Sequence, residues 1–274
     1  MMARQEIDLT TPQPNGKMGE PTKSAWEKVN DMTQELYAGL DKSMQFSGKN
    51  ILHNCGIPVN QRGFQGGALA LGAFGYDRWK GGNGGCTISI NSSGVWSLNG
   101  AIQQVIDDVQ DVWSRPITFS AQSPSGPISV YMGGATGVIP AGSGRQSVTL
   151  QANGSGNMLV DISTPITTTF SMLQMERGTS ATSFDFRPIS LERAICERYA
   201  ISGSILVRGN GVGAGQWLVR HSMRAIPTIT VSSVNYLFSC SNLVTNGAAT
   251  YAEFIVNTTN SWAFACNYIL SADI

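Results

Sequence analysis

The chain reads as a mainly all-β protein: an N-terminal extended arm and a short helix, then a β-jelly-roll (sandwich) domain, then a C-terminal β-sandwich-like domain, trimeric in assembly. Three observations predict this. Charged residues make up only 13% of the 274 residues, against about 25% in ordinary soluble domains, and Gly, Thr, Ser and Asn outnumber strong helix formers, a composition that suits short strands and tight turns. Apolar and polar residues alternate in short runs with turn residues between them. Charge is also segregated: residues 1–43 hold twelve charged side chains, whereas residues 121–175 hold only Arg145 and Asp161. A long uncharged β-rich stretch makes a poor monomer surface, and burial between identical chains removes the difficulty.

The bulk numbers exclude several classes. The length allows about two domains, and 42% apolar residues suffice for a core. Net charge is zero, so the basic footprint that nucleic-acid binding needs is missing. No apolar run approaches the ~20 residues of a membrane span, and Met1-Met2-Ala3-Arg4 leads into no apolar signal region, which predicts synthesis and assembly in a cytoplasm. Five widely spaced cysteines (Cys55, Cys86, Cys196, Cys240, Cys266) form no Cys-x-x-Cys and read as buried free thiols. With only two histidines, His53 and His221, no zinc site is expected, nor any other metal or cofactor.

Taken in order, residues 1–21 carry Pro12, Pro14 and Pro21 with Gly16 and Gly19, which disfavours any regular element. Residues 22–43 form the one clear helix. Thr22 is the expected N-cap, and Ala25, Val29, Met32 and Leu36 recur at helical spacing, with Glu27, Lys28, Asp31 and Glu35 outside the stripe. The stripe is too short for a lone coiled coil; it suits packing on its own β domain or, preferably, a bundle of three such helices through Val29, Met32 and Leu36. Residues 44–192 read as strands around 87–90, 117–121, 128–131, 147–151, 158–162 and 169–175, with turns at Gly81–Gly85, Pro124–Pro127, Gly133–Gly134, Pro140–Gly142 and Asn153–Gly154. Tyr76 and Trp79 are assigned to the core, with Asp77 and Arg78 between them as a partly buried pair. Residues 98–113 fit strand or helix; strand is preferred. Ser190 is the expected cap of a short helix with Leu191, Ile195 and Tyr199 on one face. Residues 193–274 hold that connector and short strands at 205–207, 216–219, 228–231, 251–256 and 262–265, with Gly209–Gly215 as a flexible loop.

Little of the chain suggests catalysis. Asp107, Asp108 and Asp111 read as a solvated loop or edge, no histidine stands in a Ser-His-Asp context, and no Gly-x-Ser-x-Gly occurs. The chain is not expected to be an enzyme. Aromatic faces stack on sugar rings, and Trp217, Trp262, Tyr236 and Tyr251 are the candidate carbohydrate-binding residues, Trp217 being the one most expected to be exposed.

Two stretches carry a family resemblance. Asn50–Lys80 contains Gln61-Arg62-Gly63 and Asp77-Arg78-Trp79, and Gln174–Pro188 contains Gln174-Met175-Glu176, Ala181-Thr182, Phe184-Asp185 and Arg187-Pro188. Together they resemble the first and last segments of the carbohydrate-binding-module-like jelly roll found in tail fibres and receptor-binding proteins of tailed bacteriophages. Thr11–Lys23 is similar to arms that open short phage fibres. Cys196-Glu197-Arg198-Tyr199 resembles the connector after that jelly roll, and Met223–Thr228 with Ala272-Asp273-Ile274 resembles fibre-tip domains. The resemblance implies a homotrimeric fibre of the virion. Its arm (Thr11, Pro12, Pro14, Gly16, Pro21) would dock on a tail or neck adaptor or portal protein, and its tip would bind host lipopolysaccharide or capsule. A structural neck or head fibre and a glycan depolymerase are the alternatives. The calcium that such jelly rolls sometimes hold is not expected, because Asn54-Cys55-Gly56-Ile57 lacks the acidic ligand.

Overall fold

The computed structural model describes residues 10–12, 14–18, 21–43, 48–107, 112–248 and 250–273. Within these, the side chains of 22, 34–43, 211–215, 237–239 and 259–262 lie outside the description. The chain divides into two compact units, Met1–Gly48 and Lys49–Ile274. It is mainly β, with antiparallel strand pairing throughout both sheets.

The first unit holds the arm and helix α1 (Thr22–Ser43). The arm is not simply extended. Pro12 and Met18 form an isolated antiparallel bridge, and between them Asn15 Oδ1 accepts the Lys17 N–H at 3.0 Å while Gly16 takes φ +75°, the left-handed conformation a tight turn requires. Thr11, Pro12, Pro14, Gly16 and Pro21 are all exposed. The Ala25 N–H bonds the Pro21 carbonyl at 3.1 Å, so Pro21 rather than Thr22 occupies the cap position. Ala25, Val29 and Met32 are half-buried within the unit and Trp26 is exposed. The Leu36 side chain lies outside the described residues.

The second unit begins with an eight-stranded antiparallel sheet. Its strands are β1 (Gly67–Leu69), β2 (Lys80–Ile90), β3 (Val95–Ile106), β4 (Ile117–Gln122), β5 (Ile128–Met132), β6 (Ala135–Ile139), β7 (Arg145–Leu150) and β8 (Met158–Arg177). The order is β1-β2-β3-β8-β4-β7, with β5 and β6 joined at the other half of β8. This meets the sandwich expectation and resolves 98–106 as strand. Strand β8 merges the two strands expected around 158–162 and 169–175. Pro165 cannot donate to a ladder, and it falls where the β3–β8 register shifts between Leu98 and Gly100, a bulge being the usual place for proline inside a sheet. The sheet closes over one core. Trp96 stands opposite Phe170, their rings stacked at 5.7 Å, and Trp79 meets Trp96 edge-on at 5.4 Å; all three are buried.

Helix α2 (Ile189–Glu197) follows. The Pro188 carbonyl accepts from both Leu191 and Glu192, so Pro188, not Ser190, marks its start. Its buried face is Glu192 and Cys196, and Leu191 is exposed. The expected Leu191 face is displaced because Glu192 is drawn inward by polar partners described below.

The last part contains three strands of 21 residues each: β9 (Ala200–Arg220), β10 (Thr228–Ala248) and β11 (Tyr251–Ser271), ordered β10-β11-β9. The short strands expected from the sequence are halves of these. Gly209–Gly215, read from sequence as a loop, lies inside β9 and pairs with Val256–Trp262. The sheet is folded double. Phe254 and Tyr268, fourteen residues apart on one strand, would stand about 46 Å apart if it were straight, yet their ring centres are 5.3 Å apart. A Cβ on Gly247 would lie 3.5 Å from Ile229 of the same strand. The glycine run stands at mid-strand, where glycine permits a tight bend. Inside the fold Phe254, Val256, Phe264, Cys266 and Leu270 form a second core.

Candidate functional site

The motif residues converge on a buried polar seam. Asn54, with φ +60°, is fully buried. Its Nδ2 donates to the carbonyls of Val59 and Asp77, both at 2.8 Å, and its Oδ1 accepts the Val59 N–H at 2.6 Å. Its own N–H donates to Glu192, and its carbonyl accepts Trp79 Nε1 at 3.2 Å. Asn50 does the same for the end of β8, accepting from Met175 and donating to Leu173, each at 3.0 Å. Glu176 accepts from Gln174 at 2.9 Å and from the Thr182 N–H at 2.8 Å. Asn50, Asn54, Gln174 and Glu176 are buried with hydrogen-bond partners supplied, the condition for burial without a large cost; among the described residues Arg62 Nη1, Arg78 Nε and Asp185 Oδ1 are buried without one.

Across this seam the first sheet grips the last one. Gln61 donates to Asp77 at 2.9 Å and to the Ala200 carbonyl at 2.7 Å. Arg62 pairs with Asp77 at 3.6 Å and with Asp273, and Arg78 stands 3.6 Å from Asp273 and 3.4 Å over the Tyr199 ring. The expected Asp77–Arg78 pair is therefore not formed: both are fully buried, but adjacent residues point apart and each finds a charge from a distant segment. Tyr199 donates to Asp107, and Arg224 Nε bonds Asp107 at 3.1 Å. Asp107 is thus a half-buried joint rather than a solvated loop residue; Asp108 and Asp111 lie outside the described residues.

The seam sets protonation states. Burial pushes Asp107 up, but hydrogen bonds from Tyr199 and Arg224 outweigh it and hold its carboxyl below the usual range. Tyr199 is pushed up to about 12 by burial and by Asp107. His53 is lowered to about 3 by burial, then by Arg78 and Arg187, so its ring is neutral. None of the five cysteines forms a disulfide; Cys55, Cys196 and Cys266 are buried as expected, whereas Cys86 and Cys240 are only half-buried. Among the described residues no group of three or more His, Cys, Asp or Glu could hold a metal ion, and no helix is long and apolar enough to cross a membrane.

The four candidate sugar-binding aromatics are not brought together. Strand parity separates them. Tyr251 pairs with Arg220 and Phe254 with Trp217, so Tyr251 and Trp217 occupy opposite faces of the sheet. Trp217 is 45% exposed and Tyr251 41%. Tyr236 pairs with buried Phe264, their rings 5.9 Å apart, and its hydroxyl accepts the Leu243 N–H at 3.0 Å. Trp262 stands opposite Gly209; its side chain lies outside the described residues.

What does converge is a groove of about 390 Å³ lined by Leu218, Arg220, Thr250, Tyr251 and Glu253. The strand pairs Tyr251↔Arg220 and Glu253↔Leu218 place these four on one face. Glu253 accepts from Asn246 of β10 at 2.9 Å and from Gln216 of β9, and these two bonds hold its carboxyl below the usual range. An aromatic face, a cation and a carboxylate within one groove make a set that can stack on a sugar ring and bond its hydroxyls. Sequence reasoning found Tyr251 and missed the rest. A signal existed: Glu253 is the sole charged residue of β11, β10 has none, and β9 has only Arg208 and Arg220.

No family model matches the chain, and no curated protein matches it. Among solved structures, the crystal structure of protein Ylba from E. coli is similar over 83% of this chain and 95% of its own, at 10% identity and a TM-score of 0.14. A similarity that low carries no argument about fold or function.

Proposed function

We propose that the protein is a phage fibre that binds a host cell-surface polysaccharide through its C-terminal tip. The observation that carries this is the Tyr251 groove, an amphipathic cleft on an exposed sheet face of a domain otherwise almost free of charge. The seam supports the reading, because the residues that resemble phage-fibre motifs are the ones that lock this tip to the jelly roll. One carboxylate lines the groove, whereas glycoside hydrolysis ordinarily uses two; this favours binding over depolymerisation. In the same reading α1 gathers three chains through Val29, Met32 and Leu36, the arm docks on a virion adaptor, and several copies raise weak single sites to useful avidity.

A non-receptor structural fibre is the second reading, favoured by one observation: the aromatics Trp217, Tyr236 and Tyr251 are dispersed over two faces. The test is binding of the labelled full-length protein to intact host cells, with purified lipopolysaccharide or capsule as competitor. Binding abolished by the glycan is the expected result. Absence of binding by a folded protein contradicts the receptor reading for that host and leaves the structural fibre.

A further inference from the structure

Within the glycan-binding reading, on which this step rests, the local charge pattern narrows the ligand class. We infer that the Tyr251 groove takes glycans bearing carboxylates, such as uronic acid units, and seats the carboxylate on Arg220. Arg220 stands directly opposite Tyr251 in the β9–β11 register and is exposed. Among the described residues it makes no ion pair. The nearest acid in the groove is Glu253, and both of its oxygens are engaged elsewhere: Asn246 donates to Oε2 at 2.9 Å and Gln216 donates to Oε1. Neutral amides from the two flanking strands therefore hold the groove's anion, and the exposed Arg220 guanidinium lines the groove without an acid paired to it among the described residues.

A planar fork of N–H donors matches a carboxylate in bidentate geometry. A neutral sugar offers no such partner. Tyr251 supplies the adjoining flat face, on which a pyranose ring stacks. Glu253 then orients the ligand. A carboxylate offers about four lone-pair sites, two of which the amides use, so the remainder can accept hydroxyl donors. Its negative charge repels a ligand carboxylate on that side. The ligand's acid is thus confined to the Arg220 end and its hydroxyls to the Glu253 end.

The test measures binding of the full-length protein to immobilised polygalacturonate, alginate, dextran, mannan and dextran sulphate, with R220Q, R220K and Y251A variants checked for folding by circular dichroism. The expected result is binding to polygalacturonate or alginate, at least tenfold tighter than to dextran or mannan. R220Q lowers that binding at least tenfold, and R220K restores only part because a point charge lacks the fork. Equal binding to neutral polymers, or an R220Q variant that binds as well as the parent, overturns the inference and leaves the glycan reading standing. Binding to dextran sulphate that equals binding to polygalacturonate also overturns it, since charge alone would then be read. Failure of the folded protein to bind any polymer overturns both the inference and the glycan site.

Discussion

Asn54 and its neighbour His53 show how much of the body depends on single side chains. Asn54 satisfies Val59 through both backbone groups and takes a left-handed backbone, which Asn tolerates better than most residues. Asn54→Ala strands several buried backbone groups at about 1–3 kcal/mol each and worsens the backbone strain. A loss of about 3 kcal/mol in denaturant unfolding is expected, and a change under 1 kcal/mol would contradict the role. His53 predicts a pH dependence. Its folded pKa, about 3, lies below the unfolded value of about 6.5, so the unfolded chain binds the extra proton between these limits. Stability is therefore full above about pH 6.5 and falls toward pH 3, by at most about 1.4 kcal/mol per unit. Asp107, also held low, acts in the same direction. Denaturation curves at pH 7 and pH 4.5 should show the fall, and His53→Gln should flatten it.

At the scale of elements, two glycine runs that their composition marks as turn or loop fall within strands. Gly81–Gly85 and Gly209–Gly215 look like turns, because glycine is the usual turn residue. Gly209–Gly215 lies inside β9; Gly81–Gly85 lies within β2 but spans a break in its register with β3, where Gly84 and Gly85 take left-handed φ. Gly81 is glycine because a Cβ there would sit 2.2 Å from the Ala70 carbonyl oxygen, a contact between distant segments that no local pattern reveals. Alternation located the strand segments and the helix α1, whose period is local. It did not reveal that β9, β10 and β11 run on through their midpoints and fold double, nor which residue pairs with Asp273. That last contact gives a prediction. Asp273→Ala leaves Arg62 and Arg78 buried with fewer acidic partners, and breaking such a pair costs about 3–5 kcal/mol. Loosening of the seam should appear as faster proteolysis near Arg198–Ala200, with the first sheet retaining its own core. Proteolysis at the parent rate would contradict the seam.

The whole molecule comprises an arm and helix, an eight-stranded β body and a C-terminal three-stranded sheet. In the proposed trimer, the half-buried stripe Ala25, Val29, Met32 is the contact between chains. Light scattering should give a mass about three times the 29.2 kDa chain, and the double change Val29→Asp with Met32→Asp should return it to a single chain; a monomeric parent would remove the bundle from the account. The mainly β character and the helix α1 were legible in composition and spacing. The groove was not, because it forms where residues 216–220 and 246–253 meet on one face, and parity across two strands decides which side chains share it.

The measurement that bears most directly on the receptor claim is hydrogen–deuterium exchange of the full-length protein with and without the purified host polysaccharide. Slower exchange confined to residues 216–220 and 246–253 is the predicted result. Protection confined to the first sheet, or no protection at saturating polysaccharide, would contradict a binding site on the tip.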